Sequence, residues 1–198
     1  GEMFGEEYTL VAVADYVLKH TPGNTVSNLS SSRALKDVTE AYGQQYHAAA
    51  VGEVNVVAEM KRTHSVIGGE GNGGVIYPES HYGRDALVGV GLFLSHYVAQ
   101  SKKMTELKST YPPYFISKNK MTLSPDMDVD KILEGLKERY ATEKVTDIDG
   151  VKIDFAQGWV HLRKSNTEPI IRIYSEAKDE AAANQLAEEV IAAAKSTL

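Results

Sequence analysis

The segment Arg163-Lys164-Ser165-Asn166-Thr167-Glu168-Pro169-Ile170-Ile171-Arg172 joins two strand-like stretches and carries an arginine near each end. Before it, Val160 and Leu162 alternate with Trp159, His161 and Arg163. After it, Ile171 and Ile173 alternate with Arg172 and Tyr174. Side chains along a strand point to opposite faces in turn, so both arginines are predicted on polar faces of adjacent strands. A guanidinium presents a rigid fork of donors that meets two phosphate oxygens at once. Ser165, Asn166, Thr167 and the loop amides suit the remaining lone pairs. The same residues also fit a charged hairpin whose arginines pair with Glu168 or Asp154, a common and weakly stabilising arrangement.

A second constellation, Gly68-Gly69-Glu70-Gly71-Asn72-Gly73-Gly74, follows an apolar stretch read as a strand over His64 to Ile67. Gly69, Gly71 and Gly74 have dinucleotide-loop spacing, but that chemistry needs a helix to begin at once, and Val75-Ile76-Tyr77-Pro78 follows instead. A P-loop needs Lys and Ser or Thr after its last glycine, and neither is present. What remains is close backbone approach to a ligand, with Glu70 as acceptor and Asn72 as both donor and acceptor. Vicinal hydroxyls of a sugar require that pairing. A plain glycine-rich turn at a strand end is the alternative.

The first string resembles the Arg-x-Ser-Asn/Gly-Thr-Glu-Pro-x-x-Arg phosphate-binding loop in the fourth domain of α-D-phosphohexomutases, a family of phosphoglucomutases, phosphomannomutases and phosphoglucosamine mutases. Every specified position matches. The glycine segment is similar to the family's Gly-Glu-x-Ser-Gly-His sugar loop in domain three, with Glu70 on its glutamate. Asn72 stands for serine and Gly74 for histidine, so the role of that histidine does not carry over. A Gly-Glu-x-Asn-Gly-Gly form is similar to a variant within the family.

The resemblance implies that Arg163, Ser165, Asn166, Thr167 and Arg172 hold the phosphate that is not being transferred, while Glu70, Gly71 and Asn72 recognise the sugar. It implies a reaction that interconverts hexose 1-phosphate and hexose 6-phosphate through a phosphoserine and a hexose 1,6-bisphosphate. No stretch resembles the Thr/Ser-Ala-Ser-His-Asn-Pro serine loop. The nucleophile and a Mg2+ site are therefore expected upstream, on N-terminal domains 1 and 2 of the same protein, with no catalytic residue and no metal in this chain and no activity from it alone. Glu70 and Asn72 are compatible with glucose, mannose and glucosamine phosphates alike, which differ at carbon 2. A non-catalytic phosphosugar-binding module is the alternative function.

Asp126-Met127-Asp128-Val129-Asp130-Lys131 is a poor match to the family's metal loop. Its Asp128 instead suits the cap of an amphipathic helix. A calcium hand fails because Lys131 and Lys137 occupy positions that need Gly and Glu. His20, His47, His64, His81, His96 and His161 show no pair at helical ligand spacing.

The elements that must position these loops are legible from periodicity. Leu10, Val11, Val13, Ala14, Val17 and Leu18 predict a packed helix that ends at Pro22-Gly23. Strands near 25–29 and 45–51 alternate with helices near 33–42, capped by the serines at 30–32, and 53–61. That order implies a mainly parallel sheet covered by helices. A helix over 84–100, with Leu87, Val90, Leu92, Leu94 and Val98, is apolar on most faces and predicted to be well buried. Two prolines in Tyr111-Pro112-Pro113-Tyr114 place a boundary there. Beyond it, a strand at 114–123, a helix at 128–140, strands within 145–174 and a helix at 179–195 suggest an α+β domain, with two helices on one face of an antiparallel sheet. By resemblance, residues 1–8 are the tail of domain two, 9–113 are domain three and 114–198 are domain four.

A chain of 198 residues permits one or two domains. Its net charge of -6 argues against a nucleic-acid surface, which would cluster Lys and Arg. The absence of cysteine excludes disulfides and thiolate metal sites and fits a cytoplasmic location. No run approaches the length of a membrane span. The opening Gly1-Glu2-Met3-Phe4-Gly5 reads as a cut inside a longer protein.

Overall fold

A computed structural model describes residues 1–124, 127–165 and 167–196. The chain divides into two compact units, Gly1–Pro113 and Tyr114–Leu198.

The first unit begins with α1, Glu6–His20, whose Leu10, Val11, Val13, Ala14, Val17 and Leu18 are all buried. Then come β1 (Thr25–Asn28), α2 (Ala34–Ala41), β2 (Tyr46–Ala49) and α3 (Glu53–Thr63). Strands β3 (Ile67–Glu70) and β4 (Gly74–Ile76), then helices α4 (Ala86–Gln100) and α5 (Met104–Lys108), complete it. The sheet order is β2-β1-β3-β4, with β1 parallel to β2 and β3, and β4 antiparallel on β3. Helices α1 and α3 both pack on β3. The α/β expectation holds, with one antiparallel edge strand added.

Two expectations fail locally. The third strand is not His64 to Ile67. His64 closes α3 in the left-handed conformation with φ 51, and Val66 N donates to Asn24 O, so β3 starts at Ile67 and runs through the glycines to Glu70. Glycines carry no apolar signature, which is why periodicity read this strand as a loop. The second failure is α4, which is not well buried. Only Gly89 and His96 are enclosed, while Leu87 is 84% and Val98 73% exposed, with Val90 and Leu94 also in solvent. The helix packs against α1 and β4 along one side, and β4 is an edge strand, so no described element covers the outer side.

One buried polar cluster ties this unit together. Asp15 accepts from Tyr42 Oη at 2.6 Å and Tyr111 Oη at 3.0 Å, and His96 Nε2 lies 2.8 Å from Tyr111 Oη. Burial alone would raise the Asp15 pKa. The hydrogen bonds from His96, Tyr42 and Tyr111 outweigh it and hold the carboxyl below its usual range.

The second unit orders its strands β5-β9-β8-β7-β6, all antiparallel. These are β5 (Phe115–Thr122), β6 (Lys144–Thr146), β7 (Val151–Asp154), β8 (Gly158–Lys164) and β9 (Ile170–Ala177). Helices α6 (Val129–Arg139) and α7 (Glu180–Lys195) supply Ile132, Leu136, Leu186 and Val190 to one core with Val151, Ile153, Val160, Leu162, Ile171 and Ile173. Those six strand residues share one sheet face, so both helices lie on it as expected. Asp128 caps α6, its Oδ1 accepting from Asp130 N and Lys131 N at 3.0 and 3.2 Å. Asp126 lies outside the described residues.

Because Leu87 and Leu94 already stand in solvent, replacing both with Gln leaves the unfolding free energy of this chain within about 0.5 kcal/mol of the original. Urea denaturation checks this, and a drop of 2 kcal/mol or more would show that their faces are covered.

Candidate functional site

The glycine hairpin sits at the carboxyl ends of the parallel strands, where open α/β sheets expose ligand sites. Glu70 ends β3 and is only 5% exposed. Its Oε1 accepts from Asn28 Nδ2 at 2.9 Å and from Gly52 N at 3.3 Å, and its Oε2 lies 3.5 Å from Arg84 Nη1. A carboxylate has about four lone-pair sites, so these three neighbours do not saturate it. Gly71 is buried and donates its N–H to Ser31 Oγ at 2.9 Å. Asn28 Oδ1 in turn accepts from Ser31 Oγ and Ser30 N, both at 3.0 Å. Asn72 is exposed, and its Oδ1 accepts from Gly74 N at 3.2 Å, closing the turn.

Sequence reasoning chose Glu70, Gly71 and Asn72 and missed the residues that hold them. Asn28, Ser31, Gly52 and Arg84 come from three other places in the chain. Asn28 at the end of a short strand, followed by three serines, was the available signal. Ser32 serves the helix, its Oγ accepting from Ala34 N at 3.2 Å.

In the second unit, antiparallel register sets Arg163 directly opposite Arg172. Directly opposed residues share a face, and like charges so placed repel. Each has one carboxylate neighbour. Arg172 Nη2 donates to Glu168 Oε2 at 2.9 Å, and Arg163 Nε lies 3.4 Å from Asp149 Oδ2. That Nε is buried and makes no hydrogen bond among the described residues, so the second pair is an ion contact without hydrogen-bond geometry. Of the pairings weighed from sequence, the one with Glu168 forms, while Arg163 turns to Asp149 rather than Asp154. Ser165 is buried, its N–H donating to Ile170 O at 2.9 Å and its Oγ accepting from Thr167 N at 3.4 Å. Asn166 lies outside the described residues.

The arginine face is not uniformly polar surface, as alternation predicted. Trp159, His161, Lys152 and Glu176 on that face are buried. Their polar groups are partly satisfied by one another: Trp159 Nε1 donates to Glu176 Oε1 at 2.7 Å, and Lys152 Nζ lies 4.3 Å above the Trp159 ring. His161 Nε2 donates to Asp149 O at 2.6 Å. Asp149 reaches both His161 and Arg163 because Gly150, at φ 68, turns the chain tightly against β8, where any Cβ would collide with Leu162 O. No group of three His, Cys, Asp or Glu among the described residues is placed to hold a metal ion.

Residues 5–114 match the model of phosphoglucomutase/phosphomannomutase α/β/α domain III, and residues 118–193 match the C-terminal domain of the same family. This chain belongs to the phosphoglucomutase/phosphomannomutase family. A phosphoglucomutase/phosphomannomutase of Thermococcus kodakarensis is 36% identical over 191 residues, covering 95% of this chain and 41% of the relative. A phosphoglucosamine/phosphogalactosamine mutase of Sulfurisphaera tokodaii is also 36% identical, over 83% of this chain and 37% of its own length. The chain thus spans about two fifths of the curated relatives it matches. A crystal structure of a phosphoglucomutase/phosphomannomutase family protein from Burkholderia thailandensis, 22% identical, shares the fold over the whole chain with a TM-score of 0.81, covering 43% of that structure. In this phosphohexomutase chain the two loops therefore belong to domains of known type, III and IV.

Burial lowers the His161 pKa to about 4, against a smaller opposing pull from the Asp149 carbonyl. The unfolded chain takes up a proton near pH 6.5 and the folded chain does not, so the stability contributed by neutral His161 is full above 6.5 and is lost as pH falls toward 4. Urea unfolding is expected to lose about 2 kcal/mol between pH 7 and pH 5 from this group. In His161→Gln, which retains an amide donor for Asp149 O, that part of the loss disappears. An unchanged pH slope would contradict the assignment.

Proposed function

We propose that this chain is the sugar- and phosphate-binding C-terminal part of a phosphohexomutase that interconverts hexose 1-phosphate and hexose 6-phosphate. The observation that carries this reading is the placement of Arg163 opposite Arg172, beside the buried Ser165 and Thr167 N–H. With Lys120, which pairs with Arg172 from β5, three cations share this face and meet two nearby carboxylates, Asp149 and Glu168, leaving a net positive charge that an oxyanion neutralises. Ser165, Asn166 and Thr167 complete the phosphate ligands, and Glu70, Gly71 and Asn72 take sugar hydroxyls. The names of the relatives, which include mutases for glucose, mannose and glucosamine phosphates, support the reaction class.

In the proposed cycle a phosphoserine elsewhere in the protein phosphorylates the bound monophosphate, and the hexose 1,6-bisphosphate turns end for end. The serine then recovers a phosphate from the other position. Mg2+, when bound on the preceding domains, supplies electrostatic stabilisation of the transferring phosphate. The residues of this chain bind and orient: the arginine loop grips whichever phosphate is distal, and the hairpin accepts the sugar in either direction. No described helix is long and apolar enough to cross a membrane, and a cytoplasmic location is part of the proposal.

A charge-assisted hydrogen bond to phosphate contributes about 1.5 to 3 kcal/mol. Arg163→Ala in the complete polypeptide is therefore expected to lower kcat/KM for glucose 1-phosphate by about tenfold or more. Unchanged kinetics in a variant that melts normally would reject the proposed role.

A further inference from the structure

We propose that Arg84 is a ligand-touching specificity residue of the hairpin, donating to neutral sugar hydroxyls rather than to phosphate. The inference rests on the hexose phosphate reading of that site. Arg84 reaches the hairpin from the far side of β4, where it bridges to Ile76. Its backbone N donates to Glu53 Oε1 at 3.0 Å, its Nε donates to Glu53 Oε2 at 2.8 Å, and its Nη1 lies 3.5 Å from Glu70 Oε2. Two carboxylates, from the start of α3 and the end of β3, thus hold one guanidinium in a fixed rotamer. The hydrogen bonds from Arg84 hold the Glu53 carboxyl below its ordinary range.

Three further features separate this arrangement from a surface ion pair. Glu70 is buried, so its charge is aimed and not merely solvated. The stem of Arg84 lies over Gly74, where an added Cβ would stand 2.8 Å from Cδ, so the glycine reserves the path of that side chain. The Arg84 side chain is 48% exposed, and with Nε and Nη1 engaged its Nη2 donors have no partner among the described residues.

The charge count decides which part of the ligand these donors meet. Glu53, Glu70 and Arg84 sum to -1, which disfavours a phosphate dianion and leaves oriented N–H donors for hydroxyl oxygens. The Arg163 loop has the opposite balance. A hydroxyl met by a fixed donor is read stereochemically, because the epimer leaves that donor unpaired.

The test uses the complete polypeptide with glucose 1-phosphate, its monodeoxy analogues at carbons 2, 3 and 4, and inorganic phosphate as an inhibitor. Arg84→Met is expected to raise KM for glucose 1-phosphate about tenfold. Inhibition by phosphate should stay unchanged, and KM for one of the deoxy analogues, which already lacks the contacted hydroxyl, should not rise. An unchanged KM in Arg84→Met, or weakened phosphate inhibition, would each overturn the proposal. Arg163→Ala serves as the separating control: if it lowers kcat/KM while Arg84→Met does not change KM, only the Arg84 assignment fails. If neither variant changes the kinetics, the function beneath it fails as well.

Discussion

Two guanidinium groups held side by side on one sheet face repel, and the carboxylates beside Arg163 and Arg172 answer part of that repulsion. Antiparallel register leaves no choice about their proximity once β8 and β9 pair. Asp149 and Glu168 offset part of the charge, and both do so from turns and not from strands. Asp149 arrives only because Gly150 adopts a positive φ against the carbonyl of Leu162. The buried Nε of Arg163, without a hydrogen bond among the described residues, marks what the carboxylates leave incomplete.

The hairpin of the first unit solves the opposite problem, which is how to keep an ionised carboxylate at a buried strand end. Burying an unpaired charge costs several kcal/mol, and Glu70 avoids this with donors from Asn28, the amide of Gly52 and the Arg84 guanidinium. Each donor comes from a different element: the end of β1, the entry to α3 and the segment after β4. The glycines around Glu70 clear space for these protein groups as much as for a ligand. The arginine face therefore has excess positive charge and the hairpin excess negative charge.

The layered folds place both loops at strand ends by ordinary packing. Val151, Ile153, Val160, Leu162, Ile171 and Ile173 bury one face of the antiparallel sheet beneath α6 and α7, which commits the alternate residues to the arginine face. The Asp15, Tyr42, Tyr111 and His96 cluster performs a similar task in the first unit, joining α1, α2 and α4 to the segment that leads into the second unit.

Local sequence determined what depends on near neighbours: the amphipathic periods of α1, α6 and α7, the Asp128 cap, the break at Pro112-Pro113, and the residue types of both loops. It also carried the alternation that sets Arg163 and Arg172 on one face. It did not carry the start of β3, because glycines have no hydrophobic period, nor the exposure of α4, because an apolar helix has the same composition whether or not a partner covers it. The burial of Trp159 and His161, the turn of Arg163 toward Asp149, and the convergence of Asn28, Ser31, Gly52 and Arg84 on the hairpin were decided only by tertiary structure. Those contacts join residues distant in the chain, and their existence depends on register and packing, which no local pattern encodes.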